Sequence, residues 1–283
     1  MSNQEKLAPV RVGCQGWNYE DWVSGAGGSL PVFYPRATRA AAMLEVYARA
    51  FETVEVDSTF YAIPSVQTVE GWTKRTPEGF TFSLKLPQEI THTRALGSGS
   101  VILLEEFSAR VRALGTRLGV VLIQMPPQFE LTTETAHALR EFLPHLPRDI
   151  RFSIEFRHPS WMRRRVADLL GKHKVAVALT DGPWIERAEI LQFIQRPTAD
   201  FAYIRWMGER DLVRFDRVQR ARDKNLQGWY EKISELRART SEVFAYFSNF
   251  YEGHAPASAN KLKRLLGQDV VEASSLEDQP SLF

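Results

Sequence analysis

The sequence has few of the features that mark specialised classes of protein. It contains a single cysteine, Cys14, among 283 residues, which excludes an internal disulfide and a zinc site built from several cysteines. No run approaches the roughly 20 apolar residues of a membrane span. The first residues also lack the apolar stretch of a signal peptide. We therefore expect a cytoplasmic protein that has no membrane as a partner.

A strong excess of one charge is also missing. The chain has 36 Lys and Arg against 34 Asp and Glu, which gives a formal net charge of +2. A protein that coats nucleic acid would show a much larger basic excess. The hydrophobic fraction of 44% and the charged fraction of 25% are those of an ordinary globular protein. Composition thus predicts a folded protein and names no partner.

Short apolar runs recur along the chain, each followed by a turn and then by a segment of helical period. Such runs, rich in β-branched and aromatic residues, are typical of buried parallel strands. Eight of them are present, at 10–16, 53–60, 80–87, 119–127, 151–157, 175–181, 201–208 and 242–249. Eight βα units predict an α/β fold, a single-domain TIM-type (β/α)8 barrel over residues 10–267. The alternative is an open doubly wound sheet, but "GCQGWNY" after the first strand does not supply its G-x-G-x-x-G turn.

Helical segments are predicted between the strands, and several have signals at their ends. The segments begin near Thr38, Ser65, Ile102, Thr132, Ser160 and Ile185, continue with one from about Arg214 to Arg239, and finish with one that closes at Gly267. Ser65 and Thr132 are suited to accept hydrogen bonds from free N–H groups at a helix start. Gly171 and Gly267 are suited to the left-handed turn that ends a helix.

Polar side chains follow most of the predicted strands, at the end of a TIM barrel where active sites are built. Three carboxylates there are candidates for acid–base catalysis or for binding a divalent metal: Asp57, Glu155 and Asp181. The cofactor itself stays unknown, because no dense ligand motif such as H-E-x-x-H is present. An equally open alternative is that these carboxylates form structural ion pairs with basic neighbours, since buried carboxylates need partners.

A second set of residues at the same end is suited to bind a ligand. Lys85, Arg157 and Arg205 have the charge and geometry that phosphate or carboxylate recognition uses. The aromatic candidates, which would stack on a base or a sugar ring, are Trp17, Tyr61 and Trp161. The remaining candidates are His92, Asn249 and His254. Rim packing is the alternative for the aromatic residues, and a hydrogen-bonded structural role is the alternative for the histidines.

Several of these segments together resemble one protein family. "GCQGWNY", "FETVEVDSTFY", "FTFSLKLP", "LGVVLIQMPPQF", "IEFRHPSW", "YIRWMG" and "YFSNFYEGHAPASANKLKRLLG" are similar to the YecE-like family, called domain of unknown function 72. The resemblance covers about residues 10–267 and implies a TIM-barrel-like fold without supplying a reaction. The chain departs from the usual final motif of the family at Ser248 and Tyr251.

The two ends of the chain lie outside the predicted barrel. Residues 1–9 are predicted to be an N-terminal extension, and residues 268–283, which lack a convincing helix or strand pattern, a flexible tail. The tail ends in "QPSLF", which resembles the bacterial sliding-clamp-binding motif. Gln279 would bind at the edge of a groove on the clamp, and Leu282 and Phe283 would fill it.

Two classes of function follow from these features. The first is an enzyme, hydrolase- or nuclease-like, that acts on nucleic acid or another phosphate-bearing ligand and is recruited to DNA through its tail. The second is a non-catalytic module that binds a nucleotide or DNA. A small-molecule metabolic enzyme unrelated to DNA is a further alternative, because a five-residue match at a terminus also arises by coincidence.

The tail generates a direct prediction. Deletion of residues 279–283 should abolish binding to the bacterial sliding clamp, for which one short motif would have a Kd of around 1 μM. Thermal stability should change little, because a flexible tail contributes little buried apolar surface. Surface plasmon resonance and a melting curve check both expectations. Clamp binding that survives the deletion would exclude the motif.

Overall fold

The computed structural model describes residues 7–23 and 32–277, in which eight parallel strands close into one barrel. Each strand pairs with the next along the chain, and the last pairs with the first. The strands are Val10–Gln15 (β1), Thr53–Val56 (β2), Thr81–Lys85 (β3), Leu118–Gln124 (β4), Phe152–Glu155 (β5), Ala176–Asp181 (β6), Phe201–Trp206 (β7) and Glu242–Phe247 (β8). The prediction of a TIM-type (β/α)8 fold is confirmed, and every strand overlaps its predicted run.

Helices cover the outside of the barrel. They are Ala40–Ala50 (α1), Val66–Lys74 (α2), Ser100–Val111 (α3), Thr133–Phe142 (α4), Arg164–Lys172 (α5), Arg187–Leu191 (α6), Asp223–Arg237 (α7), Asn249–Glu252 (α8), Ala255–Leu265 (α9) and Ala273–Glu277 (α10). A π-helical turn, Glu89–Thr93, follows β3, and short 3₁₀ turns lie at Ser58–Phe60 and Pro159–Trp161. Within the described ranges, no helix is long and apolar enough to cross a membrane.

Three of the four predicted helix-end signals are confirmed. The hydroxyl groups of Ser65 and Thr132 each accept a hydrogen bond from the backbone N–H three residues further on. Gly267 has a φ of 68° and follows α9. Gly171, in contrast, lies inside α5, and it is Lys174 that takes the left-handed conformation after it, with a φ of 56°.

Two segments differ from the sequence expectation. Residues 207–222, of which the second half was predicted to be helical, form a loop without helix or strand, and α7 begins only at Asp223. The segment after Gly267, expected to have no regular structure, contains the short helix α10, and Leu276 of this helix is buried against the core.

The alternation of side chains along the strands creates two separate cores. One lies between the strands and the surrounding helices, and the other fills the barrel interior. In the middle of the interior, the hydroxyl of Tyr246 is 2.7 Å from that of Thr53 and 2.8 Å from that of Ser83. At the amino ends of the strands, Arg11 and Arg151 both form ion pairs with Glu242. The ionic residues at the carboxyl ends of the strands therefore lie above a barrel interior that is filled by side chains.

Candidate functional site at the carboxyl ends of the strands

Six ionic side chains form a continuous series of ion pairs at the carboxyl end of the barrel interior. Signs of charge alternate along the series, which we call the ion-pair chain. It runs through Asp57, Lys85, Glu55, Arg205, Glu155 and Arg157 in that order. Strands β2, β3, β5 and β7 supply these residues from their last positions or from the first two positions beyond them. The ion-pair chain therefore spans the barrel mouth.

Arg205 is the central link of the ion-pair chain. Its Nε and Nη2 donate to the two carboxylate oxygens of Glu55 over 2.8 and 2.7 Å, and its Nη1 donates to Glu155. All three side chains are fully buried. Tyr203 donates a further hydrogen bond to Glu55 over 2.7 Å, and Thr180 donates one to Glu155 over 3.0 Å. Both glutamates are therefore fully partnered.

The charges of the ion-pair chain keep its central groups ionised in spite of burial. Burial would raise the pKa of Glu155, but the positive charges of Arg205 and then Arg157 lower it to about 2. Burial would likewise lower the pKa of Arg205, but Glu155 and Glu55 raise it above its ordinary value. Glu155 and Arg205 therefore keep their charges throughout the pH range in which proteins usually work.

The two ends of the ion-pair chain are less completely partnered than its centre. Asp57 contacts Lys85, yet the side chain of Asp57 is 38% exposed. At the other end, Nε of Arg157 donates to Glu155 over 2.6 Å. The Nη2 of Arg157 is buried and makes no hydrogen bond to any described residue. These ends offer one carboxylate and one guanidinium group to a ligand.

Two further side chains lie around Arg157. Its guanidinium carbon is 3.8 Å from the ring centroid of Trp184, a stacking distance that fixes the plane of the guanidinium group. The half-buried His92 lies close enough for its charge state to respond to Arg157: burial, and then the positive charge of Arg157, lower the pKa of His92. His92 is therefore neutral at pH 7 and able to donate or accept a hydrogen bond.

The structure places Arg205 among buried ion pairs and away from solvent. All three guanidinium nitrogens of Arg205 donate to carboxylates of the protein, and the side chain is fully buried, so Arg205 is occupied by these partners. Lys85 is also occupied, because it contacts both Asp57 and Glu55. Of the three basic candidates, only Arg157 combines a place at the mouth with an unused buried donor. These contacts are the ones expected under the alternative in which the carboxylates form structural ion pairs with basic neighbours.

The three candidate carboxylates do not converge on a common metal site. Glu155 is bound by two arginines. Asp181 instead accepts a 2.6 Å hydrogen bond from the indole N–H of Trp229 on α7, and so lies in the layer between β6 and the helices. In the described parts of the chain, no three His, Cys, Asp or Glu side chains are grouped to hold a metal ion.

Two of the three aromatic candidates pack against other rings, and the third is exposed to solvent. Trp161 is 1% exposed, stacks between Phe129 and Phe156, and donates its indole N–H to a backbone carbonyl, so no ligand ring can reach its face. Trp17 is partly buried and contacts Trp72 edge to face. Tyr61, in contrast, is 73% exposed. Tyr61 therefore remains a candidate for stacking on a ligand, as predicted.

Asn249 and His254 belong to the loop and short helix that follow β8, and both serve first to hold this region. The side-chain oxygen of Asn249 accepts from the indole of Trp22 and from the N–H of Ala255 at the start of α9, at 3.1 and 3.0 Å. His254 packs edge to face against Trp22. Neither Nδ2 of Asn249 nor Nε2 of His254 makes a hydrogen bond within the described residues.

Three residues of the site were not identified from the sequence, although for one of them the sequence contains a recognisable pattern. Glu55 interrupts the apolar strand "TVEV" in the same way that Glu155 interrupts "FSIE", so the rule that selected Glu155 also selects Glu55. Trp184 and Tyr203 have no such signal, since aromatic residues are common in loops and strands alike. The tail candidates Gln279, Leu282 and Phe283 lie outside the described residues, and their assignment stays a prediction.

Comparison with known proteins now places the chain in a family. The family described as "Protein of unknown function DUF72" matches residues 11–281. The chain belongs to DUF72. UPF0759 protein YunF of Bacillus subtilis is similar to it, with 25% identity over 277 residues, which cover 91% of this chain and 94% of YunF. UPF0759 protein YecE of Escherichia coli K12 is 30% identical over 155 residues, 55% of this chain and 51% of YecE.

Solved DUF72 structures show the same fold. A DUF72 protein from Thermotoga maritima superposes with a TM-score of 0.75 at 26% identity and covers 92% of this chain and 100% of its own. A DUF72 protein from Enterococcus faecalis gives a TM-score of 0.72 at 20% identity, covering 93% of this chain and 97% of its own. The resemblance to the YecE-like family is thus confirmed, and DUF72 membership carries the fold but no named reaction.

The centre of the ion-pair chain generates a stability prediction. Arg205→Met should lower the free energy of unfolding by about 3–5 kcal/mol, because two buried carboxylates lose their shared partner. Arg112→Met is the matched control, since Arg112 also binds one carboxylate, that of Asp149, through two nitrogens, but at the exposed surface. Urea unfolding should show little change for the control. Equal stability of the two variants would contradict the structural role of Arg205.

The buried His254 generates a prediction of pH dependence. Burial lowers its pKa from 6.5 to about 4, although Asp216 acts in the opposite direction. The unfolded chain therefore takes up a proton at about pH 6.5 that the folded protein accepts only at about pH 4. The contribution of neutral His254 to the free energy of unfolding is fully present above pH 6.5. It should fall by about 3 kcal/mol as the pH drops from 6.5 to about 4.

His254→Gln should remove most of this loss, which urea unfolding at several pH values between 7 and 4.5 would measure. His137→Gln, a change at an exposed position on α4, should keep the wild-type slope. An unchanged slope in the His254 variant would show that other groups cause the pH dependence.

Proposed function

We propose that this protein is an enzyme that binds a phosphate-bearing substrate at the barrel mouth, with Arg157 holding the phosphate and Asp57 accepting a proton. The observation that carries the proposal is the buried Nη2 of Arg157, which has no hydrogen-bond partner among the described residues. An unpartnered buried donor destabilises a protein by about 1–3 kcal/mol. A bound anion would supply the missing acceptor.

The chemistry of Arg157 favours phosphate among anions. A guanidinium group presents its N–H groups in a plane and binds two oxygens of phosphate or carboxylate at once. The contacts with Glu155 and Trp184 hold that plane in one orientation before a ligand arrives. Preorganisation of this kind reduces the entropy lost on binding. Neutral His92, which lies nearby, adds a hydrogen-bonding group without adding charge.

The other end of the ion-pair chain supplies the group for proton transfer. Asp57 is partly exposed, and its contact with Lys85 restrains the carboxylate. A restrained, accessible carboxylate is suited to accept a proton from a hydroxyl group or from water. Hydrolysis of a phosphate ester is the reaction class that uses these two functions together, with the anion held at one point and water activated at another.

Nucleic acid is the phosphate-bearing substrate that the tail favours. If Gln279, Leu282 and Phe283 bind the sliding clamp, the barrel mouth would act at replicating DNA. The exposed ring of Tyr61 offers a surface on which an unpaired base can stack. A non-catalytic module that binds a nucleotide or DNA uses the same Arg157 contact, and the partly exposed Asp57 is the observation that favours the enzyme.

A binding screen tests the proposal. Thermal shifts are measured with inorganic phosphate, nucleoside monophosphates and a single-stranded oligonucleotide, at an ionic strength kept constant with NaCl. At least one probe should raise the Tm. Arg157→Lys, which keeps a cation beside Glu155 but removes the spare nitrogen, should weaken binding by about 1.5–3 kcal/mol, or roughly 10- to 150-fold.

Arg196→Lys makes the same substitution in an exposed ion pair with Asp168 and should bind like the wild type. Urea unfolding of both variants separates a loss of binding from a loss of folding. The proposal fails if no phosphate-bearing probe binds, if only carboxylate compounds bind, or if Arg157→Lys binds as tightly as the wild type.

A further inference from the structure

The loop of residues 207–222, between β7 and α7, has one charged side chain that makes no ion pair, hydrogen bond or ring contact with a described residue. The loop carries eight charged residues. Four arginine–carboxylate ion pairs join six of them within the loop itself: Arg220 with Glu209 and with Asp211, Arg214 with Asp216, and Arg217 with Asp216. Arg222 lies over the ring of Tyr251. Arg210 alone has neither an ion pair nor a hydrogen bond with any described residue.

The loop is held in a defined position at the barrel mouth. The backbone N–H of Phe215 donates to Asp21 over 2.9 Å, and the Phe215 ring packs edge to face against Tyr19 and Phe250. Further along, the carboxylate of Glu252 accepts from the N–H of Arg222 over 2.7 Å. Arg210 is therefore carried by a loop that is anchored on both the β1 and the β8 sides of the mouth.

The start of the loop lies beside the aromatic ring on which Arg157 stacks. A Cβ placed on Gly182 would lie 3.0 Å from Trp184 and 3.3 Å from Cβ of Met207, so these two side chains meet at one point. Met207 is the first residue of the loop, three positions before Arg210. Gly208 fixes the direction of the loop there, since its φ is 64° and an added Cβ would lie 2.2 Å from the carbonyl oxygen of Phe250.

The charges of Arg157 and Arg210 act on each other. Burial lowers the pKa of Arg157 and Glu155 raises it, while the positive charges of Arg205 and Arg210 lower it further, so that the pKa lies below its ordinary value. Glu155 already serves Arg205 as well as Arg157, and Arg210 brings no carboxylate of its own. Two positive charges that act on each other without a dedicated counter-ion favour the binding of an anion near both of them.

We propose that Arg210 is the second arm of the anion site, so that the phosphate of the ligand is bound between Arg157 and Arg210. This inference rests on the proposed function and adds a binding residue that comes from a loop and not from a strand end. Arg157 binds from the barrel interior, where its plane is fixed, and Arg210 approaches from the solvent side. A ligand must therefore present at least two phosphate oxygens that point in different directions.

A titration with inorganic phosphate tests the inference. The Kd is measured by thermal shift at constant ionic strength for the wild type, Arg210→Gln, Arg210→Glu and the control Arg214→Gln. The control removes another exposed arginine of the same loop, one that already pairs with Asp216. We expect Arg210→Gln to raise the Kd about tenfold, Arg210→Glu to raise it further because it repels the anion, and Arg214→Gln to leave it unchanged.

The outcomes separate this inference from the proposed function. Phosphate binding that Arg157→Lys weakens but both Arg210 variants leave unchanged would overturn the second arm and keep the proposed function. An equal effect of Arg214→Gln and Arg210→Gln would reduce the role of Arg210 to general charge, and would also overturn the inference. No binding of phosphate by the wild-type protein would overturn both.

Discussion

The contact of Arg205 with two buried glutamates is the interaction on which the rest of the site depends. A guanidinium and two carboxylates that leave water lose several kcal/mol of hydration each, and only close, complete pairing offsets the loss. Glu55, Glu155 and Arg205 come from β2, β5 and β7, so their pairing fixes three separated strands relative to one another. Lys85, Asp57 and Arg157 are joined to this centre by further ion pairs.

The inner members of the ion-pair chain are paired with one another, whereas its two end members keep groups that a ligand can contact. Its four inner members, Lys85, Glu55, Arg205 and Glu155, are ion-pair partners of one another. The end members are joined to the chain at one side only, which leaves part of Asp57 exposed and one nitrogen of Arg157 unused. An active site needs groups that are held firmly and yet free to react, and the ends of a buried ionic series meet both conditions.

The pleat of the strands decides which polar residues reach the site. Thr180 and Asp181 are adjacent at the end of β6, yet Thr180 contacts Glu155 in the interior while Asp181 binds Trp229 in the helical layer. Because side chains alternate between the two faces of a strand, one step along the chain moves a carboxylate out of the barrel. A list of strand-end residues therefore mixes side chains that face the barrel interior with side chains that face the helical layer.

The eight strands and three of the four helix-end signals could be predicted from the sequence, because burial periodicity and capping depend on neighbours along the chain. Glu155 and Arg157 were also identified as candidates from the sequence. Tertiary structure alone decided that Arg205 pairs with two glutamates, that Asp181 points out of the barrel, and that Arg157 keeps an unused donor. The energy of a charge in a barrel depends on which strands face it across the interior, and residues 50 or 150 positions apart meet there without any local signal.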